Sequence, residues 1–249
     1  METVGLDGQH RVAYGDEQIA FTLRRQTTRV VSRVAIHVEP DGRVEVDAPP
    51  STPLADVLAA VRKRSRWISQ HVSAAGARMA HVLPREYVSG ESIHYLGKRY
   101  RLKVVVQAAG ASAAKLRGAF VVVSVPRHDA VQIRACIDAW YRERAREVFA
   151  ARLKVVAEPL RWVRQLPPFR LQFMTRQWGS CSPSGRLTLN PWLLAAPREA
   201  IDYVLLHEMC HLKHHDHSSA FYRTLARHLP EWERIKARLD DQVEIFLRR

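Results

Sequence analysis

The chain has 249 residues, of which 47% are hydrophobic and 26% charged, and it can bury one large core or two small ones. It lacks any apolar run of about eighteen residues, which excludes a membrane-spanning helix, and its three scattered cysteines exclude a disulfide framework. The net charge of +14 permits a nucleic-acid partner, although no finger, RNP or helix-turn-helix signature organises the basic residues. The first twenty residues do not resemble a secretion signal, so a cytoplasmic location is expected.

The first half of the chain is predicted to be rich in β-strands. Apolar and β-branched residues come close to alternating in the segments Ile19–Arg24, Val34–Glu39, Arg43–Asp47, Ser92–Leu96, Arg99–Gln107 and Ala119–Val125. Pro40-Asp41-Gly42 is typical of a tight hairpin turn, and Gly97-Lys98 predicts a second turn. Helical spacing of apolar residues predicts one helix over Leu54–Val72, and the small residues of Ala108–Ala114 predict a loop.

The second half is predicted to contain most of the helices. Val131–Val156 has neither proline nor glycine and predicts a long amphipathic helix that ends near Pro159. Two strands are predicted around the turn Ser182–Gly185, over Phe169–Met174 and Arg186–Asn190. Three further helices are predicted over Pro197–Lys213, over Ser218–Leu229 and from Pro230 towards the C-terminus.

The segment Leu206–His211 contains the pattern HExxH within a predicted helix. A helix advances about 100° per residue, so His207 and His211 lie about 40° apart, where two imidazoles can chelate one ion. Glu208 lies about 60° from His211, which is too far round to be a ligand but within reach of a metal-bound water. Zinc lowers the pKa of such a water only to about 7, so a base is needed, and Glu208 is the predicted general base.

A catalytic zinc site normally has a third protein ligand. The candidates directly after HExxH are His214, His215, Asp216 and His217, and the alternatives at longer spacing are Glu231 and Glu233. His214 would lie on the same helix face as the first two ligands, and three ligands in a row along one axis cannot surround a tetrahedral ion. His217 follows the predicted helix end, where the chain can fold back over the metal. We therefore predict His217 as the third ligand.

Taken together, these motifs resemble the YgjP-like metallopeptidases, which are relatives of the WLM and SprT-like zinc proteases. The specific similarity covers the segments Arg176–Ser182, Leu189-Asn190, Ile201–Leu212 and Asp216–Tyr222. The resemblance implies zinc on His207, His211 and His217, with Glu208 as general base. It also implies that a strand over Trp178–Cys181 lies beside the active site. The chain is not similar to metzincins, because it has no methionine after the HExxH helix to form their Met-turn.

We predict an α+β fold in which residues 129–249 form a zincin-like metallohydrolase unit, with the HExxH helix packed on a small sheet. Residues 1–128 form a strand-rich N-terminal region in this prediction. The predicted function is zinc-dependent hydrolysis of a peptide or protein substrate, with no membrane partner. Two alternatives stay open: a metal-dependent nucleotide pyrophosphatase, and a DNA-associated protease that acts on proteins bound to nucleic acid. The positive charge suits both alternatives.

Two further roles are considered at the site. The group that stabilises the oxyanion is left open among Arg176, Tyr203, His215 and Tyr222. Cys181 has no histidine or acid at the spacing of a nucleophilic motif, so we predict a structural thiol.

Overall fold

The computed structural model describes residues 8–15, 17–25, 34–38, 42–79, 85–108, 110–174, 177–215 and 217–242. These residues form a mixed α/β structure with several small sheets and six α-helices, which confirms the predicted mixture of helices and strands. The chain divides into two compact units, Met1–Leu83 and Pro84–Arg249. Within the described residues, no helix combines the length and the apolar character needed to cross a membrane.

The first unit contains a four-stranded sheet and two helices. The strands are β1 (Gly8–Tyr14), β2 (Glu17–Arg25), β3 (Ala35–Val38) and β4 (Val44–Ala48), in the spatial order β1-β2-β4-β3. The central pair, β2 and β4, is parallel, and both outer pairs are antiparallel. Two helices follow, α1 (Leu54–Lys63) and α2 (Ser65–Met79). Val57, Val61 and Ile68 of these helices are buried in one core with the sheet.

Two features of this unit differ from the prediction. The single helix predicted over Leu54–Val72 is wrong, because the helix breaks at Arg64 (φ −107°, ψ 9°). The Arg64 N–H and the Ser65 hydroxyl both donate to the carbonyl of Val61, at 3.0 and 3.2 Å, and turn the chain there. Strand β1 was not predicted, since Val12 is its only buried residue and no alternation is visible. The predicted hairpin is present as antiparallel β3 and β4, but Pro40 and Asp41 of its turn lie outside the described residues.

The second unit begins with a sheet of the same topology. Its strands are β5 (Ser92–Tyr95), β6 (Lys98–Val106), β7 (Ala113–Arg117) and β8 (Phe120–Val125), in the order β5-β6-β8-β7 with a parallel central pair. The long helix α3 (Ala130–Ala157) packs on one face of this sheet, as its uninterrupted sequence predicts. The loop predicted over Ala108–Ala114 runs into β7, whose sequence AAKLR is too short and too rich in alanine to indicate a strand.

The division between the compact units falls after Leu83, whereas the sequence-based regions were divided after residue 128. The difference arises because strands β6 and β8 bury Leu102 and Val121 in the same core as Ile133 and Ile137 of α3. A sheet and a helix that share one core belong to one unit. The assignment of a metallohydrolase role to residues 129–249 stays a prediction.

A smaller three-stranded sheet and three helices complete the second unit. The strands are β9 (Phe169–Leu171), β10 (Gly179–Cys181) and β11 (Leu187–Leu189), in the order β10-β11-β9. The helices are α4 (Arg198–Cys210), α5 (Ser219–His228) and α6 (Trp232–Asp241). The predicted strands β9 and β11 run parallel. The strand joined to β11 across the Ser182–Gly185 turn is β10, which only the family resemblance had implied.

The β5–β6 hairpin contacts the segment that leads into α4. Its turn is Leu96-Gly97 (φ 50° and 77°), one residue earlier than predicted, because both central positions of this turn require positive φ. The Leu96 N–H donates to the carbonyl of Leu194 at 2.6 Å. A Cβ atom at Gly97 would lie only 3.0 Å from Cγ of Pro197, the residue before α4. The turn therefore packs directly against the start of the helix that carries HExxH.

We expect Gly97→Ala to destabilise the protein more than Gly118→Ala. Both glycines have positive φ (77° and 55°), a conformation that costs an L-residue about 1–2 kcal/mol. A Cβ atom at Gly118 would have no neighbour within 4 Å, whereas one at Gly97 would press on Pro197. Thermal unfolding of the two variants checks this difference. Equal losses of stability would contradict the packing of the hairpin against Pro197.

Candidate metal centre

Helix α4 positions His207 and Glu208 in its last turn. Its apolar residues Ile201, Leu205 and Met209 are fully buried, so the helix has a fixed orientation in the core. The helix ends at Cys210 rather than near Lys213. There the N–H groups of Lys213 and His214 both donate to the Cys210 carbonyl, at 3.0 and 2.9 Å. This early end takes His214 off the helix face that His207 occupies.

Three histidine side chains converge beyond this helix end. The nitrogen atoms that His207, His211 and His217 offer lie within 4.8 Å of one another. The Nε2 atoms of His207 and His217 are 3.0 Å apart, and the three ring centroids are separated by 4.7 to 5.1 Å. The structure thus brings together the three residues that the sequence singled out. Their role as ligands stays a prediction.

His214 holds one of these rings instead of joining the cluster. The Nδ1–H of His211 donates to the carbonyl of His214 at 3.1 Å, which makes Nε2 the unprotonated nitrogen of the neutral ring, the tautomer in which an imidazole binds a metal through Nε2. The Nε2–H of His214 donates to the hydroxyl of Thr224 at 2.9 Å, and that hydroxyl donates to the Ala220 carbonyl at 3.0 Å. These hydrogen bonds therefore link His211, through His214, to helix α5. They fix the orientation of the His211 imidazole.

Phe221 of α5 forms the floor of the cluster. Its ring is fully buried and contacts all three imidazoles, with centroid distances of 4.9 Å to His207, 4.7 Å to His211 and 4.8 Å to His217. On the exposed side, the ring of Tyr222 stacks on His217 at 6.1 Å. Sequence reasoning placed Phe221 in a family motif without a role, because only the folded chain shows which rings it contacts.

Burial controls the charges at the cluster. Burial, followed by the nearby His217, His211 and Lys236, lowers the pKa of His207 to about 3. His207 is therefore neutral near pH 7, as a metal ligand must be. Burial raises the pKa of Glu208 to about 8, since the side chain is only 5% exposed.

Strand β10 lies directly against Glu208. A Cβ atom at Gly179 would lie 2.9 Å from both Cγ and Oε1 of Glu208, so only glycine leaves room for the carboxylate there. β10 is an edge strand of its sheet within the described residues. Hydrogen bonds from Asn190 to Trp178 and from Ser182 to Arg186 set its register with β11. The alternation of an antiparallel pair then directs the backbone groups of Gly179 and Cys181 away from β11, towards the free edge.

Asn190 anchors the chain just before β10, and sequence reasoning gave it no role. It is fully buried, and its Nδ2 donates to the carbonyls of Met174 and Gln177 at 2.8 and 3.2 Å. Its Oδ1 accepts from the Trp192 N–H at 3.2 Å. A single asparagine before a proline has no distinctive pattern, so the only signal for its importance was its place in the Leu189-Asn190 motif.

The remaining candidates have different positions. Within the described residues, the cluster contains neither Glu231 nor Glu233, and Glu231 pairs with Arg234. Arg176 and Asp216 lie outside the described residues. Tyr203 contacts the His207 ring at 5.9 Å and is buried, and His215 is exposed in the turn after α4.

Cys181 has the character of a structural thiol. Burial, with a smaller effect from Glu208, raises its pKa to about 11. The thiol is protonated near neutral pH as a result, and a protonated thiol is a poor nucleophile. Its Sγ lies 3.5 Å from the Ser182 carbonyl, in the geometry of a weak hydrogen bond.

The donor set fits a divalent metal ion. Three imidazoles are a known ligand set of catalytic metal sites that keep one coordination position open. Two nitrogens on one tetrahedral zinc ion lie about 3.3 Å apart, close to the 3.0 Å between the Nε2 atoms of His207 and His217. The Nδ1 of His207 is buried without a hydrogen-bond partner among the described residues, so Nε2 is the nitrogen through which this ring interacts.

Comparison with known proteins tests the family resemblance. No curated protein shows significant similarity to the chain. Among solved structures, the metallopeptidase zymogen of Pyrococcus abyssi abylysin is 26% identical over 38% of this chain and 93% of that chain, with a TM-score of 0.35. The sequence profile of the YgjP-like metallopeptidase domain matches residues 32–242, a range that includes the three histidines and Glu208. The chain therefore belongs to the YgjP-like metallopeptidase family.

Proposed function

We propose that this chain is a zinc-dependent peptidase whose zinc is held by His207, His211 and His217. The observation that supports this function is the convergence of three imidazoles at the end of α4, the helix whose buried Glu208 side chain lies against strand β10. Zinc in such a site polarises a carbonyl group and lowers the pKa of a water molecule to about 7. Membership of a metallopeptidase family supports metal-dependent peptide hydrolysis at the level of the family.

Glu208 is the general base in this proposal. Burial raises the pKa of this carboxyl to about 8 in the absence of a metal ion, so the group binds a proton more strongly than an exposed carboxylate does. The carboxylate takes the proton of the attacking water and delivers it to the amine that leaves. His211 keeps its orientation through the carbonyl of His214, and Phe221 packs against all three imidazoles.

Strand β10 is the proposed binding edge for the substrate. An extended peptide would pair with the outward N–H and C=O groups of Gly179 and Cys181, which adds a strand to the sheet. Because Gly179 touches Glu208, a peptide on this edge passes beside the carboxylate. Helix α4 packed on β10 would then be the zincin-like unit that the sequence predicts. Tyr203 and Tyr222, whose rings contact the histidines, are the proposed donors to the oxyanion.

Gly179→Ala is expected to lower kcat for peptide hydrolysis by about 100-fold, because a displacement of about 1 Å at a catalytic group has an effect of this size. The added methyl would collide with Cγ and Oε1 of Glu208 at 2.9 Å. Steady-state kinetics measure the loss of kcat, and elemental analysis measures the metal content separately. The metal content should not change. Gly8→Ala is the matched control, since a Cβ atom there meets nothing within 4 Å. An unchanged kcat in the Gly179 variant would contradict the proposed position of Glu208.

His217→Ala tests the metal site itself. We expect the purified protein to contain zinc, and the His217 variant to lose the metal and the activity together, because two ligands bind zinc far more weakly than three. His215→Ala is the control, since His215 is an exposed histidine of the same turn outside the cluster. Elemental analysis gives the metal content.

Release of peptides from a peptide mixture, compared with release of pyrophosphate from nucleoside triphosphates, identifies the reaction. Pyrophosphate release without peptide hydrolysis would replace the proposed function by a nucleotide pyrophosphatase.

A further inference from the structure

The sheet β5–β8 has an outward face that is strongly basic. Alternate residues of β6 and β8 point inwards, where Leu102, Val121 and Val123 share a core with α3. The outward positions of β6 and β7 hold five exposed cations: Arg99, Arg101, Lys103, Lys115 and Arg117. Residues 92–125 contain neither Asp nor Glu, so the strands supply no opposite charge. We call the outward residues of β6, β7 and β8 the basic sheet face.

The register of the strands arranges these cations in two rows. Arg101 of β6 pairs with Phe120 of β8, and Phe120 pairs with Arg117 of β7. In the next outward row, Lys103 pairs with Val122, and Val122 pairs with Lys115. Neighbouring strands are about 4.8 Å apart, so the backbone of each apolar residue has the backbone of a cationic residue about 5 Å away on either side.

Phe120 lies at the centre of this pattern and is unusually accessible. Its side chain is 40% exposed, although an aromatic residue of a central strand is normally buried. Val122 is half-buried beside it on the same strand. The outward side of β8 therefore forms an apolar floor between two lines of positive charge.

Ordinary explanations of surface charge account for only part of this face. Lysine and arginine on an edge strand prevent unwanted strand pairing, which explains Lys115 and Arg117 on β7. β6 lies between β5 and β8 in the strand order, and β5 pairs with it over Lys98–Arg101, so Arg99 and Arg101 have no exposed edge to protect. A solvated face normally mixes both signs of charge, whereas this one carries a single sign. None of its five cations takes part in a recorded ion pair within the described part of the chain.

We infer that the basic sheet face binds single-stranded nucleic acid. The cations of β6 and β7 would contact phosphates on both sides of the strand, and Phe120 would stack on an unpaired base. Exposed aromatic rings on a β-sheet, combined with a positively charged track, are the features that bind single strands with little sequence preference. The inference does not depend on the proposed peptidase activity, because the metal centre contributes no residue to this face.

Other polyanions fit this face less well. A duplex keeps its bases stacked inside, so it offers phosphates to the cations but no base to Phe120. An anionic membrane attracts basic residues generally and requires no ring between two rows of cations. The aromatic floor therefore favours single strands over a duplex or a lipid surface.

Fluorescence anisotropy of the full chain with labelled oligothymidylate and oligouridylate tests the inference. We expect Phe120→Leu, which keeps apolar bulk but removes the ring, to weaken binding of single strands about tenfold. Lys103→Gln combined with Lys115→Gln should reduce the slope of log affinity against log salt by about 1.4, or about 0.7 for each lost phosphate contact. Arg62→Gln combined with Lys63→Gln removes the same charge from exposed residues at the end of α1 and is the control. The control pair should leave the slope unchanged.

Three results would overturn the inference. The first is an equal loss of affinity in the control double variant and in the Lys103 and Lys115 double variant. That result would indicate that the nucleic acid is attracted by net charge alone. The second is unchanged affinity in Phe120→Leu, since stacking would then contribute nothing. The third is equal or tighter binding of a duplex, or of phosphatidylserine vesicles, by the wild-type chain. The oligothymidylate and oligouridylate arms show whether DNA or RNA is the preferred single strand. Circular dichroism verifies that each variant is folded.

Discussion

Glu208→Gln is expected to reduce peptide hydrolysis by about 10²- to 10⁴-fold, the usual contribution of a general base, while the metal content stays unchanged. Glutamine has nearly the same shape as glutamate, so it fits beside Gly179, but its amide cannot accept the proton of the attacking water. The three histidines that would hold the zinc are untouched by this change. Elemental analysis and single-turnover kinetics on a cleaved peptide measure the two quantities on the same preparation.

The control for this experiment is Glu199→Gln, which changes a carboxylate in the first turn of the same helix. Glu199 pairs with Arg238 at 2.7 Å and lies at the opposite end of α4 from the cluster. We expect its activity to stay close to that of the wild type. A metal-loaded Glu208 variant that keeps the wild-type rate would disprove the role of Glu208, whereas loss of metal in that variant would show that the carboxylate supports the site structurally.

Phe221→Ala is expected to destabilise the protein by about 3–5 kcal/mol and to weaken metal binding about 10- to 100-fold. The stability loss follows from the cavity that a fully buried ring leaves behind. The loss of metal affinity follows from its contact with all three imidazoles, which would no longer be held in one arrangement. Thermal unfolding without metal and competition with a zinc chelator below the melting temperature separate the two effects.

Leu225→Ala is the matched control for this prediction. Leu225 is also fully buried on α5, one turn after Phe221, and its aliphatic side chain has no ring to pack against the imidazoles. A leucine removed from a core costs about 2–5 kcal/mol, so the two variants should lose similar stability. Only the Phe221 variant should lose metal affinity. Equal metal affinity in both variants would mean that Phe221 supports the core and not the cluster.

Local patterns in the sequence were sufficient for three of the helices. α3, α5 and α6 lie where the spacing of apolar residues and the prolines predict them, because a helix is held together by contacts within a few residues. The pairing of His207 with His211 follows from the same local geometry, since residues four apart share a helix face. Short strands with weak alternation were missed, as in β1 and β7. The break at Arg64 was missed because its cause is a hydrogen bond of Ser65 to a single carbonyl.

The sequence by itself determined which chemistry to expect of this protein: the HExxH pair, the predicted general base Glu208 and a histidine after the helix end are all visible as residue types at set spacings. Only the tertiary structure decided what surrounds them. The floor under the rings is Phe221, the strand against Glu208 is β10, and Phe120 lies between Arg101 and Arg117. These neighbours are distant in the chain, and which strands and helices meet depends on the burial of the whole core. No local pattern encodes that outcome, because many registers satisfy the same alternation.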